Sequence, residues 1–251
     1  MLEQLKQSVC EANLQLQKHN LVIYSWGNVS GIDRKAGIVA IKPSGVSYDE
    51  LTPDKMVLLG LDGRIVEGNL KPSSDTPTHL ELYRNFKDIG GICHTHSPNA
   101  TIWAQSCREV PCLGTTHADN FYGPIPVTKP MTKQQIETDY ELNTGKVIVK
   151  RFARLDPMQM PAVLVANHGP FTWGKDAAEA VENAVVLEQT AMMALGTITI
   201  NPKQKKIAQV LLDKHYLRKH GKDAYYGQKK QDRIKQQSFE KLNKDKGKKT
   251  S

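Results

Sequence analysis

Gly91-Ile92-Cys93-His94-Thr95-His96-Ser97-Pro98 reads as a short apolar strand that runs into a turn and then a helix. Alternate residues of a strand share a face, so His94 and His96 project together while Thr95 turns away. Two imidazoles side by side at a strand end make half of a metal site. Two unrelated turn histidines would give the same pattern, so the decision rests with the rest of the chain.

Working outward, Leu2, Leu5, Val9, Ala12 and Leu16 recur at three- and four-residue spacing, which predicts an amphipathic helix. Leu21-Val22-Ile23-Tyr24 predicts the start of a strand that ends in Trp26-Gly27-Asn28-Val29-Ser30. Ile38–Ile41 predicts another, closed by Lys42-Pro43-Ser44-Gly45. Two apolar runs, at 57–61 and 64–66, flank Asp62-Gly63. Glycine tolerates the positive φ of a tight hairpin turn, so at least part of the sheet is antiparallel. Ser73-Ser74-Asp75-Thr76-Pro77-Thr78 marks a helix start, followed by His79, Leu80, Leu82, Tyr83 and Phe86 at helical spacing. Pro98 opens a helix through Ile102 and Trp103, and 115–119 reads as a polar loop. Helices are expected over about 132–152, with Gly145 a weak point, over 176–195 and over about 203–220. Residues 162–166 form a buried strand that stops at Asn167-His168-Gly169-Pro170. With no internal repeat and no linker, the chain reads as one α/β domain followed by a tail.

The 251 residues, 39% hydrophobic and 24% charged, are enough to bury a substantial core. No apolar run approaches the roughly 20 residues that span a bilayer. Glu3, Lys6 and Glu11 among the first leucines argue against a secretory leader. Cys10, Cys93, Cys107 and Cys112 lack paired spacing, which points to reduced thiols and a cytoplasmic location. The net charge of +8 suggests nucleic acid until its distribution is read. Residues 229–251 hold nine Lys/Arg against three Asp/Glu, so six of the eight charges belong to the tail. That segment has few apolar residues and reads as a solvated, disordered appendage; nucleic acid is not an expected partner.

A third histidine, His168, also sits where an apolar strand ends in a glycine turn. Three histidines with Asp75 supply donors for a catalytic divalent metal, three imidazoles leaving a position open. On the plainer reading His168 caps a turn and Asp75 caps a helix. Gly27-Asn28, Ser44-Gly45 and Ser73-Ser74 each lie at a strand end or helix start, where free N–H groups and hydroxyls can receive an anion. None belongs to a Gly-rich nucleotide motif.

Taken together, 26–30, 41–46, 71–79, 94–97, 114–119 and 167–171 fall in the order of motifs of the class II aldolase/epimerase superfamily, and 1–228 resembles its L-ribulose-5-phosphate 4-epimerase branch. The resemblance extends through 211–220 and Ala224-Tyr225-Tyr226-Gly227-Gln228, leaving 229–251 beyond it. It implies a three-layer α/β/α fold around a mixed, mostly antiparallel sheet, and a cyclic homotetramer with active sites between subunits. It implies Zn²⁺, or a similar ion such as Mn²⁺ or Co²⁺, held by Asp75, His94, His96 and His168. A phosphate would be gripped by Gly27, Asn28, Ser44, Gly45, Ser73 and Ser74, with Lys42 assisting. Asp119 and Tyr226, the tyrosine from a neighbouring subunit, would be the acid/base pair, with Thr116, Glu141, His215 and Arg218 in support. The implied reaction takes a phosphorylated pentulose, L-ribulose 5-phosphate, to D-xylulose 5-phosphate in a pentose pathway such as arabinose catabolism. The C4 proton is too far from the C2 ketone for simple enolisation, so the implied route breaks and remakes the C3–C4 bond. An aldolase of the same superfamily would release the two fragments, but such aldolases usually carry Glu where this chain has Asp75. A non-catalytic zinc-binding interaction protein would have no need of the acid/base pair.

Overall fold

Strand alternation sorts the apolar residues onto two faces of one sheet. The computed structural model describes residues 1–225, so Tyr226 and the 229–251 tail lie outside the described residues. The strands are β1 (Asn28–Asp33), β2 (Ile38–Ile41), β3 (Val57–Gly60), β4 (Ile65–Glu67), β5 (Gly91–His94), β6 (Ala162–Leu164) and β7 (Pro170–Gly174). They lie in the order β4-β3-β2-β1-β5-β7-β6. Every neighbouring pair is antiparallel. The parallel contribution shrinks to an isolated bridge between Val127 and Leu164. The 62–63 turn is the expected hairpin, Gly63 having φ +88°.

The helices are α1 (Leu2–Lys18), α2 (Thr76–Asn85), α3 (Pro98–Gln105), α4 (Thr115–Ala118), α5 (Lys133–Glu137), α6 (Tyr140–Arg151), α7 (Ala177–Ile200) and α8 (Gln209–His220). Val29, Ala40, Leu58 and Cys93 pack against Val9, Ala12 and Leu16 of α1 and Ala180, Val181 and Ala184 of α7. On the opposite face Val39, Ile92, Phe171 and Trp173 pack against Leu80, Leu82 and Tyr83 of α2, Trp103 of α3 and Ile148 of α6. Helices therefore cover both faces of the sheet, the three-layer α/β/α arrangement. Asn28 pairs with His94 and His94 with Phe171, placing one residue of each central strand in a single row at the sheet's rim.

Several boundaries differ from the sequence expectation. Leu21-Val22-Ile23-Tyr24 is not a strand, because Asn20 and Tyr24 have φ +55° and +54° and the segment turns instead. The 132–152 helix is two, broken at Thr138 and Asp139. Asn143 Nδ2 donates to the Gln135 carbonyl and to Thr138 Oγ1 there, holding the bend. The polar loop at 115–119 contains α4; α8 begins at Gln209 rather than near 203, and α7 runs on to Ile200. Gly145 is no weak point. A Cβ there would stand 2.7 Å from Glu81 Cβ and 3.2 Å from the Thr78 carbonyl, so its absence lets α6 press against α2.

Candidate metal centre

Three segments bring the imidazoles together. His94 ends β5, His96 lies two residues on, and His168 occupies the turn between β6 and β7. The turn is closed by bonds from Val165 N–H to the Gly169 carbonyl (2.9 Å) and from His168 N–H to the Val165 carbonyl (3.0 Å). Asn167 takes φ +64° within it. Gly169 lets the turn approach β5: a Cβ there would come within 2.9 Å of the Thr95 carbonyl and 3.1 Å of His96 Cδ2. As a result His96 Nε2 stands 3.1 Å from His94 Nε2 and 3.1 Å from His168 Nε2. All three candidate donor atoms fall within 4.8 Å of one another.

The chemistry of these donors fits a metal ion. His94 Nδ1 lies 2.9 Å from the Pro170 carbonyl, which can only accept, so that nitrogen carries the proton and Nε2 presents its lone pair inward. The ring also stacks on Phe171, with centroids 4.1 Å apart. Tyr140 Oη lies 3.4 Å from His168 Nδ1. Burial, together with the neighbouring His94 and His96, pushes the His168 pKa down to about 3, and burial and His94 lower that of His96. Neutral imidazoles are the form that ligates. A tetrahedral ion bound at roughly 2.0–2.1 Å would set neighbouring imidazole nitrogens about 3.3 Å apart, close to the two 3.1 Å separations that His96 makes here.

Asp75 immediately precedes α2 but makes no capping bond; its Oδ2 accepts from Asn28 Nδ2 at 2.7 Å. Burial opposes its ionisation, yet His94, His79 and the Asn28 bond outweigh this and hold its pKa below the ordinary carboxylate value. Among the described residues the cluster of meeting donor atoms comprises the three histidines, while the Asp75 carboxylate is engaged by Asn28.

Backbone pairing gathers the anion-receiving candidates. Ser44 N–H donates to the Lys71 carbonyl (2.9 Å) and Ser73 N–H to the Lys42 carbonyl (3.0 Å), so these two N–H groups are engaged rather than free as expected, and the pairing joins the Ser44-Gly45 and Ser73-Ser74 segments. Asp75 N–H donates to Ser73 Oγ (3.3 Å), and the Asn28–Asp75 bond brings in Gly27-Asn28. Gly27 and Gly45 have φ +74° and +72°. Lys42, only 1% exposed, reaches the Ser25 carbonyl at 3.2 Å and lies over the Tyr48 ring. With no carboxylate partner among the described residues, its pKa is pushed down to about 8 by burial.

Asp119 belongs to a second cluster. Its carboxylate accepts from His215 Nδ1 at 3.0 Å and from Arg218 Nε and Nη2 at 3.1 and 2.9 Å, so α8 is clasped to the end of α4. Burial raises its pKa, but the Arg218 and His215 bonds prevail and hold it below the ordinary carboxylate value. Thr116 lies on α4, and the Glu141 carbonyl accepts from Thr78 Oγ1 at 2.5 Å, tying α6 to α2. Tyr226 lies outside the described residues. Sequence reasoning missed Tyr140 and the stacking role of Phe171. It also missed His79, fully buried with Nδ1 on Ser30 Oγ (2.7 Å). The rim row of Asn28, His94 and Phe171 carries the one signal that reaches Phe171, because it follows from strand register.

A family model described as the class II aldolase and adducin N-terminal domain matches residues 7–195. Among solved structures, an L-fuculose 1-phosphate aldolase is similar with a TM-score of 0.72 and 24% identity, over 84% of this chain and 94% of that one. The L-fuculose 1-phosphate aldolase from Glaciozyma antarctica PI12 gives 0.73 at 15% identity, over 88% and 84%. YgbL from Klebsiella pneumoniae gives 0.66 at 23% identity, over 85% and 98%. At these identities the structural likeness is one of fold. Because the family model spans well over half of the sequence, the chain belongs to the class II aldolase and adducin N-terminal domain family.

Proposed function

We propose that this protein is a metal-dependent epimerase that inverts C4 of L-ribulose 5-phosphate to give D-xylulose 5-phosphate by cleaving and remaking the C3–C4 bond. The observation that carries the reading is the meeting of three imidazole nitrogens beside a joined set of anion-receiving turns. His94, His96 and His168 would hold the ion, with Asp75 completing the set. A divalent ion, Zn²⁺ on this donor chemistry, supplies Lewis acidity for the carbon–carbon step. Every other task falls to the chain. Gly27, Asn28, Ser44, Gly45, Ser73 and Ser74, with the buried charge of Lys42, tether the phosphate. The tether prevents escape of the aldehyde fragment while leaving its carbonyl face free to turn. Asn28 Oδ1 is buried without a partner among the described residues, an acceptor left unmet next to this site.

Asp119, held ionised by Arg218 and His215, would take the C4 hydroxyl proton as the C3–C4 bond breaks. Tyr226 would return a proton to the oxygen from the opposite face on re-addition, and the two exchange roles in reverse. A cytoplasmic homotetramer with sites between subunits belongs to the same reading. All four cysteines are free. Among the described residues no helix is long and apolar enough to cross a membrane.

An aldolase is the second reading, favoured by the two L-fuculose 1-phosphate aldolases of the same fold. Product analysis separates them. Purified protein with Zn²⁺ is expected to convert L-ribulose 5-phosphate to D-xylulose 5-phosphate, and a chelator to stop this reversibly. Net release of dihydroxyacetone and glycolaldehyde phosphate would instead establish the lyase.

A further inference from the structure

We infer that Glu188 of α7 is a positioning residue for His96; the inference rests on the three-imidazole centre proposed above. The chain leaves β5 at His94 and enters α3 at Pro98, so His96 hangs on a bridge of three residues whose two ends decide where its ring goes. The β5 end is fixed by pairing with β1 and β7. The α3 end lacks a cap of its own. Ser97 makes no side-chain capping bond, and Pro98 has no N–H to offer.

Glu188 fills that role from another helix. Its Oε1 accepts from the Asn99 N–H at 2.9 Å and from Asn99 Nδ2 at 2.7 Å, and its Oε2 accepts from the Ala100 N–H at 2.9 Å. The residue is 6% exposed and both oxygens are engaged. A buried negative charge there meets the partial positive charge of a helix N-terminus. Farther along α3, Trp103 Nε1 donates to the Ala191 carbonyl at 3.0 Å, a second tie to α7 more distant from His96. The first tie sets the start of α3, and with it the bridge that carries the ligand; the second holds the body of the helix. Residues that orient metal ligands from outside typically change affinity 10- to 100-fold when altered.

The test uses the full chain and Zn²⁺ itself, with affinity read by competition against a chromophoric chelator. Glu188→Gln keeps size and shape but sets an amide N–H against backbone N–H groups. It is expected to weaken Zn²⁺ binding by roughly 10- to 100-fold while the far-ultraviolet circular dichroism stays native. Asn99→Ala removes only the side-chain bond and is expected to give a smaller loss; it carries the test if Glu188→Gln does not fold. Trp103→Phe is expected to lower the unfolding temperature with Zn²⁺ affinity unchanged. Unaltered affinity in both Glu188→Gln and Asn99→Ala, or an equal loss in Trp103→Phe, would overturn the positioning role. Failure of the unmodified protein to bind Zn²⁺ would overturn the metal centre itself, and that result appears before any variant is compared.

Discussion

The His94 ring is fixed in two ways, by the Pro170 carbonyl at Nδ1 and by the Phe171 face beneath it. His94→Asn leaves a side chain too short to reach the meeting point of the other imidazoles. Metal content and activity are expected to fall together while the circular dichroism spectrum stays native; an unchanged Zn²⁺ content would remove His94 from the ligand set. At Asp119 the expectation concerns pH. Its folded pKa lies below the ordinary carboxylate value, so the stability from its bonds to Arg218 and His215 is fully present above that ordinary value. That contribution is lost as pH falls through the lower, folded value. In urea titrations the stability gap between the protein and Asp119→Asn is therefore expected to be wide at neutral pH and to narrow below about pH 4. At this scale His94 was legible because it closes an apolar strand and His168 because an apolar run stopped at Asn-His-Gly; His96 lies past the end of β5, so the alternation expected to carry it stops at His94 and the turn toward α3 places its ring instead. Tyr140 was not legible, since its place beside His168 depends on how α6 packs, which no local spacing records.

Among the elements, α2 and α6 meet at Gly145, where two opposing effects can be weighed. Alanine in a helix interior is about 1 kcal/mol better than glycine. Forcing a methyl into a tight contact typically costs about 1–3 kcal/mol. With Glu81 Cβ only 2.7 Å from where that methyl would stand, Gly145→Ala is expected to destabilise on balance, read as a lower urea midpoint with an unchanged slope. The same region shows why helix boundaries escaped the sequence. Residues 132–152 carry helical periodicity throughout, but Thr132 and Gln135 form a capping box that starts α5, and Asn143 ties down the break that follows. The apolar letters at 21–24 resemble a strand, yet Ile23 and Tyr24 are exposed and only Leu21 is buried among them, with Val22 between. Composition reports what a segment prefers; the positive φ at Asn20 and Tyr24 reports what the neighbours impose. The hairpin at 62–63 was legible because its turn chemistry is local.

For the whole molecule, an ion that binds only the folded state adds RT ln(1 + [L]/Kd) to stability, about 2.7 kcal/mol at a hundredfold excess over Kd. Zn²⁺ is expected to raise the unfolding temperature and a chelator to lower it, with His94→Asn insensitive to both. How the ligands are spread along the chain adds a consequence in time. Pro170 lies 76 residues beyond His94, and His168 lies 72 beyond His96. A chain emerging from the ribosome thus has nowhere to put the ion until the seventh strand has been made and laid against the fifth. Full capture waits on the pairing of β5 with β7, and Zn²⁺ is expected to leave the refolding rate almost untouched and slow the escape from the native state.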